Sequence, residues 1–154
     1  MAAELWLLRH GDAVGQAPSG RDADRELTAR GEAQARAAGS ALRRLEVDFA
    51  AVYTSPKVRA YETARLACEA MGIPEPIVHP PLREDFSASD ALALVRSVDG
   101  DRVLVVGHNP DFAQVVFDVA GGRVAFKKGG VAALAVREGE LLVLLRPHEL
   151  RRLA

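Results

Sequence analysis

Short apolar runs alternating with amphipathic stretches predict an α/β protein, a three-layer α/β/α sandwich with a mainly parallel central sheet and an antiparallel edge hairpin. Leu5-Trp6-Leu7-Leu8 and Val103-Leu104-Val105-Val106 are continuous apolar runs followed by polar, glycine-containing segments, as strands buried on both faces are. The stretches between strands repeat apolar residues with helical spacing. The last two strands follow one another across a short Glu138-Gly139 turn, which predicts the hairpin. The 154 residues suit one domain, 1–154, large enough to bury a core without staples.

Glu4 to Leu8 reads as the first strand, and Arg9 to about Glu26 as a long polar loop containing Gly11, Gly15, Pro18 and Gly20. Thr28 is placed to cap a helix running to about Leu45, with Ala33, Ala37, Ala41 and Leu45 on its inward face and small residues packing close to the sheet. Phe49 to Thr54 is a second strand, and Ser55-Pro56 opens a helix with Val58, Tyr61, Ala64, Ala67, Cys68 and Met71 as its apolar stripe. Gly72 and Pro74 end that helix. Ile77 to His79 is a short third strand broken by Pro80-Pro81, and Ser87 or Ser89 caps a helix carrying Leu92, Val95 and Val98. Arg102 to Val106 is the fourth strand. Pro110 begins a helix that Gly121-Gly122 stops, and Val131 to Val136 and Leu141 to Arg146 form the hairpin.

The net charge of −1 supplies no global field for nucleic acid or an anionic membrane, so affinity for an acidic substrate requires locally clustered cations. One cysteine, Cys68, excludes an intramolecular disulfide and reads as a buried, inert thiol. A basic stretch followed by a long apolar segment is lacking, and a cytoplasmic protein is the expectation. Neither a Gly-x-Gly-x-x-Gly turn nor a Gly-Lys-Ser/Thr loop is present, which argues against a nucleotide fold of the glycine-rich type.

His10 and His108 each stand just past a buried strand, where open α/β sheets gather their chemistry. Arg59 lies about one turn into the helix after the second strand, so the same crevice receives a third cationic group near a positive helix end. With Arg9 beside His10, two guanidinium forks suit bidentate phosphate binding and one imidazole is free to act as nucleophile. The crowded cations should suppress protonation of His10, whereas an arriving dianion should make His108 cationic.

Leu8-Arg9-His10-Gly11, Ser55-Pro56 with Arg59-Ala60 and Glu62-Thr63-Ala64, and Val106-Gly107-His108-Asn109-Pro110 resemble the signatures of the histidine phosphatase, or phosphoglycerate mutase-like, superfamily. Arg9-His10-Gly11-Asp12-Ala13 and Arg25-x-Leu27-Thr28-x-x-Gly31 are similar to the SixA-type phosphohistidine phosphatases. The likeness runs from the first strand to about Gly130. It implies that His10 attacks phosphorus to give a phosphohistidine intermediate, with no metal and no cofactor. Arg9, Arg59 and His108 would hold phosphoryl oxygens, Arg25, Gly11 and Asn109 would add substrate contacts, and Glu84, with Asp85 behind it, would supply an acid to the leaving group.

The preferred partner is a phosphorylated protein whose phosphohistidine enters a site without a long lid. A small phosphate ester or nucleotide is the alternative with the same chemistry, and a functioning Glu84 would favour it. A metal-dependent phosphoesterase needs more carboxylates and histidines at defined spacings than Asp12 and Asp111 supply. A phosphate- or phosphohistidine-binding module without turnover is the non-enzymatic reading, against which the intact His10 speaks. Lys127-Lys128-Gly129-Gly130 either lines the mouth or forms a solvated turn, and His79 and His148 have no motif.

Overall fold

A computed structural model describes residues 1–154. In chain order it contains β1 (Glu4–Arg9), α1 (Ala29–Arg44), β2 (Ala51–Thr54), α2 (Val58–Met71), β3 (Ile77–Val78), α3 (Ala88–Ser97), β4 (Arg102–Gly107), α4 (Asp111–Ala120), β5 (Val131–Ala135), β6 (Glu140–Leu145) and α5 (Pro147–Leu153). The six strands form one sheet in the order β3-β2-β4-β1-β5-β6. The first four in that order are parallel, whereas β5 runs antiparallel to β1 and β6 antiparallel to β5. The predicted sandwich and edge hairpin are both present.

Strand alternation sorts the core into two layers, because successive side chains leave opposite faces of a sheet. Leu5, Leu7, Val103 and Val105 pack with α3 and α4 through Val95, Phe112 and Val116. Trp6, Leu8, Leu104 and Val106 pack on the other face with α1, α2 and α5 through Leu42, Ala67 and Leu150. Every one of these except Trp6 is essentially sealed from water, and burying a valine-, leucine- or phenylalanine-sized side chain contributes about 1.5–3 kcal/mol.

Helix α1 differs from the expected face. Thr28 does cap it, accepting from the Gly31 N–H, but Ala33 and Leu45 are exposed and the buried face holds Ala35, Ala38, Gly39, Ala41 and Leu42. Steps of four residues advance roughly 40° beyond a full turn at 3.6 residues per turn, so a run of +4 spacings winds off the inward side. Its small residues also serve a different contact. A Cβ on Gly39 would lie 2.4 Å from the Ala67 carbonyl oxygen, so the close approach is between α1 and α2.

Other boundaries shift by a residue or two. β2 starts at Ala51, and Phe49 before it turns edge-on to Trp6 with ring centroids 5.8 Å apart. Gly72 ends α2 in the left-handed conformation, with φ of 70°, which a residue without Cβ adopts at no steric cost. Ser87 caps α3 by accepting from the Asp90 N–H, while the Asp90 carboxylate accepts from the Ser87 N–H. The C-terminal helix α5 was not expected. It opens on Pro147, its Glu149 carboxylate accepts from the Arg146 N–H at 3.1 Å, and Leu150 is buried in the α1/α2 layer. No helix is long and apolar enough to cross a membrane.

Candidate active site

The site grows from the carboxyl ends of three adjacent parallel strands. Arg9 at the end of β1 pairs in register with Gly107 at the end of β4, and the His10 N–H donates to the Gly107 carbonyl at 3.0 Å. His10 and His108 therefore leave the sheet side by side, with ring centroids 5.3 Å apart. On the other side of β4, the Ser55 N–H donates to Val106, which places the Ser55 hydroxyl 2.8 Å from His108 Nε2. One turn of α2 then brings in Arg59, which is 7% exposed.

The loop after β1 is fixed to both helices behind it. The Gly11 N–H donates to the Thr63 hydroxyl at 3.0 Å, and that hydroxyl donates to the Arg59 carbonyl at 2.7 Å. Against α1 the approach is backbone to backbone. A Cβ on Gly31 would sit 1.9 Å from the Asp12 carbonyl oxygen, and one on Gly11 would sit 2.6 Å from that of Gly31. Only glycine fits at either position.

Hydrogen bonding sets the tautomer of His10 and orients His108. His10 Nδ1 lies 2.7 Å from the Gly11 carbonyl, an acceptor only, so Nδ1 carries the proton and Nε2 keeps its lone pair. The Ser55 hydroxyl accepts from the Lys57 N–H and also hydrogen-bonds His108 Nε2, which holds that ring in place. Burial is the main reason that the His10 pKa falls from its ordinary 6.5 to about 4. The Gly11 carbonyl opposes that shift, while Arg59, Arg9 and Lys128 add to it, so crowded cations contribute less than the sequence suggested. His108 falls to about 3 through burial, then His10, Arg59 and Lys57, with Asp22 opposing. Both rings are neutral at pH 7.

Three buried polar atoms have no hydrogen-bond partner: Arg9 Nε, Arg59 Nε and His108 Nδ1. Leaving such a group unsatisfied costs about 1–3 kcal/mol, and more when it is charged. The two guanidinium atoms are donors, the His108 nitrogen becomes one when that ring is protonated, and all belong to residues flanking His10. Part of each guanidinium is used internally, since Arg9 Nη1 donates to the Phe126 carbonyl at 2.8 Å and Arg59 Nη1 to the Asp22 carbonyl at 2.9 Å. Such a set of converging donors suits an oxyanion.

Several expected contacts lie elsewhere. Glu84 is solvent-exposed and pairs with Arg83 at 3.5 Å, and no hydrogen bond or ion pair joins it to either histidine. Asp85 is also exposed. Asn109 spends its carboxamide on the fold, accepting from the Ala113 N–H in α4 and donating to Phe126. The Gly11 N–H is committed to Thr63. Arg25 donates to the Val14 carbonyl at 2.7 Å and to Asp22 at 3.1 Å, so it adjoins the site only through that carboxylate.

Asp22 is the residue whose part the sequence did not reveal. Its carboxylate meets Arg25, Lys57 and Arg59 at 3.1 to 3.2 Å, and those partners hold it far below the usual carboxylate range. Ser55 and Thr63 stood within recognised motifs, but only the fold shows what their hydroxyls touch. No group of three or more His, Cys, Asp or Glu side chains is arranged to hold a metal ion. Burial pushes the Cys68 thiol up to about 11, so it is inert at neutral pH.

A parallel sheet ending in two neutral, oriented imidazoles among unpartnered cationic donors defines a phosphoryl-handling α/β site. The model of the histidine phosphatase superfamily (branch 1) matches residues 5–93. An uncharacterized protein of Picosynechococcus sp. is 30% identical over 94% of this chain and 96% of its own length. A protein histidine phosphatase SixA solved in complex with tungstate superposes with a TM-score of 0.82 at 25% identity, covering 96% of this chain and 99% of that one. A SixA structure from Agrobacterium tumefaciens gives a TM-score of 0.83 at 23% identity over 96% of this chain and 99% of that one, and so speaks to the fold alone. The chain belongs to the histidine phosphatase superfamily, and it is a phosphatase.

Proposed function

We propose that this phosphatase removes phosphoryl groups from phosphohistidine on a protein, with His10 as nucleophile. The Nε2 lone pair of His10 forms a bond to phosphorus as the bond from phosphorus to the substrate ring nitrogen breaks. That nitrogen keeps the bonding pair and takes a proton from water. A second water then attacks phosphorus, the bond to His10 breaks, inorganic phosphate leaves and His10 regains its lone pair. Arg9, Arg59 and His108 stabilise charge on the phosphoryl oxygens through both half-reactions. His108 becomes cationic as the dianion approaches, because an opposite charge raises its proton affinity.

The observation that carries this reading is the tautomer of His10, whose Nδ1 is engaged by Gly11 so that a neutral Nε2 is available beside two unpartnered guanidinium donors. The position of Glu84 supports phosphohistidine over an ester. A departing imidazole has a conjugate-acid pKa near ~6.5 and needs little help, whereas an alkoxide requires an acid held at the bond. Tungstate in the SixA relative is a tetrahedral oxyanion of the kind this donor set fits.

The test has two arms. Incubation with a phosphorylated donor should leave phosphate on the chain in an acid-labile, base-stable linkage, and His10→Ala should lose it together with at least about a thousandfold in turnover. A panel of phosphohistidine proteins and phosphate esters, read by phosphate release, should rank the former first. Faster release from esters would overturn the substrate assignment.

A further inference from the structure

The segment between α4 and β5 is pinned to the reactive strand end. The Gly129 N–H donates to the carbonyls of both Arg9 and His10 at 3.0 Å, so Lys127 and Lys128 are held at the rim of the site. Between them and α1 lies a cavity of about 370 Å³ whose walls include Arg9, Arg30, Lys127, Lys128, Gln34 and Asp12. Four cations face one carboxylate there, and Asp12 is already engaged by the Thr28 hydroxyl at 2.8 Å and by Lys128 at 3.5 Å. A second groove of about 360 Å³ shares Arg30 and Gln34 and adds His148 and Arg151 from α5. A cationic strip thus runs outward from Arg9 on a chain whose net charge is −1.

We propose that this strip is a docking surface for the acidic face of the protein that presents the phosphohistidine, an inference that rests on the function proposed above. The first cavity has no aromatic wall, so it lacks the stacking platform on which bases are commonly held. The cations are spread over α1, the loop before β5 and α5, a wider span than one phosphate fills but suited to several carboxylates on a folded surface. Arg9 belongs to both the strip and the reaction site, so a carboxylate-rich surface seated here brings its histidine to the crevice. Rim charges of this kind act mainly on encounter rate, and their effect is screened by salt.

Lys128 contributes to the depressed pKa of His10, so the variant that tests docking is Arg30→Glu/Lys127→Glu, which leaves the reacting groups in place. The substrates are free phosphohistidine and peptides carrying phosphohistidine flanked by glutamates, by serines or by lysines. The parent should turn over the glutamate peptide with kcat/KM about tenfold above the serine peptide at low salt, and raised salt should erase the difference. The double variant should lose that preference while hydrolysing free phosphohistidine at the parental rate. Equal turnover of the three peptides by the parent, or a preference that survives in the variant, overturns the docking surface and leaves the phosphatase reading intact. Inhibition by a single-stranded oligonucleotide at concentrations where a poly-glutamate peptide has no effect also overturns it, in favour of nucleic acid. Failure on every phosphohistidine substrate, free and peptide alike, would remove the substrate reading and the docking surface together.

Discussion

Acidification from pH 8 to pH 5 should cost this fold about 4 kcal/mol through two residues. In the unfolded chain His10 and His108 each bind a proton with a pKa near ~6.5, whereas in the fold they do so only at about 4 and about 3. Across the intervening window the unfolded state holds more protons, so stability present at high pH is lost as pH falls. At pH 5 the difference is about 2 kcal/mol per ring. The carboxylates that the fold holds low, Asp22 among them, contribute little in this range, since unfolded carboxylates are already mostly ionised at pH 5. His79, held below its ordinary value mainly by burial, adds a loss of the same sign with or without the catalytic pair. Urea unfolding at the two pH values would measure the effect in the parent and in His10→Gln/His108→Gln. The double variant should recover most of the 4 kcal/mol. An acid loss of equal size in both chains would refute the claim that burial keeps this pair neutral.

Ser55→Ala should lower kcat/KM about ten- to hundredfold, because His108 loses the hydroxyl that holds its Nε2, and should move the pH-rate profile while cooperative unfolding is retained. Asp22→Asn removes the carboxylate that neutralises Arg59 and Lys57, so inorganic phosphate should inhibit about three- to tenfold more tightly, and weaker inhibition would contradict that role. Gly31→Ala should destabilise the fold by about 3 kcal/mol or more, since the new methyl would overlap the Asp12 carbonyl, and an unchanged urea midpoint would show that the loop can move aside.

The parts of the site readable from sequence are those encoded within a few residues. Each histidine follows its own apolar strand, and Arg59 follows a strand, a proline and one helical turn, so local pattern was enough to place them together. Asp22 lies 37 residues from Arg59, in a loop whose neighbours supply equally plausible local ion pairs, and only the folded chain selects among them. Asn109 and Gly11 stand inside recognised motifs, yet one spends its side chain and the other its N–H on the fold. Helix α5 escaped notice because seven residues give little periodicity, and its burial of Leu150 depends on a surface made by α1 and α2. The misread face of α1 has the same origin, since an alanine-rich helix shows little contrast between its inner and outer sides.

Reversal of one strand has a consequence for how this enzyme could diversify. A parallel neighbour of β1 would begin at the opposite edge of the sheet, but β5 starts with Val131 opposite Leu8, so its approach segment is delivered straight to the reactive edge. Only backbone groups of that segment clamp the strand end, through the Gly129 amide and the Phe126 carbonyl. The Lys127 side chain is therefore free to be exchanged for other chemistries, and new clients could be recruited by rewriting that position without disturbing the machinery beneath.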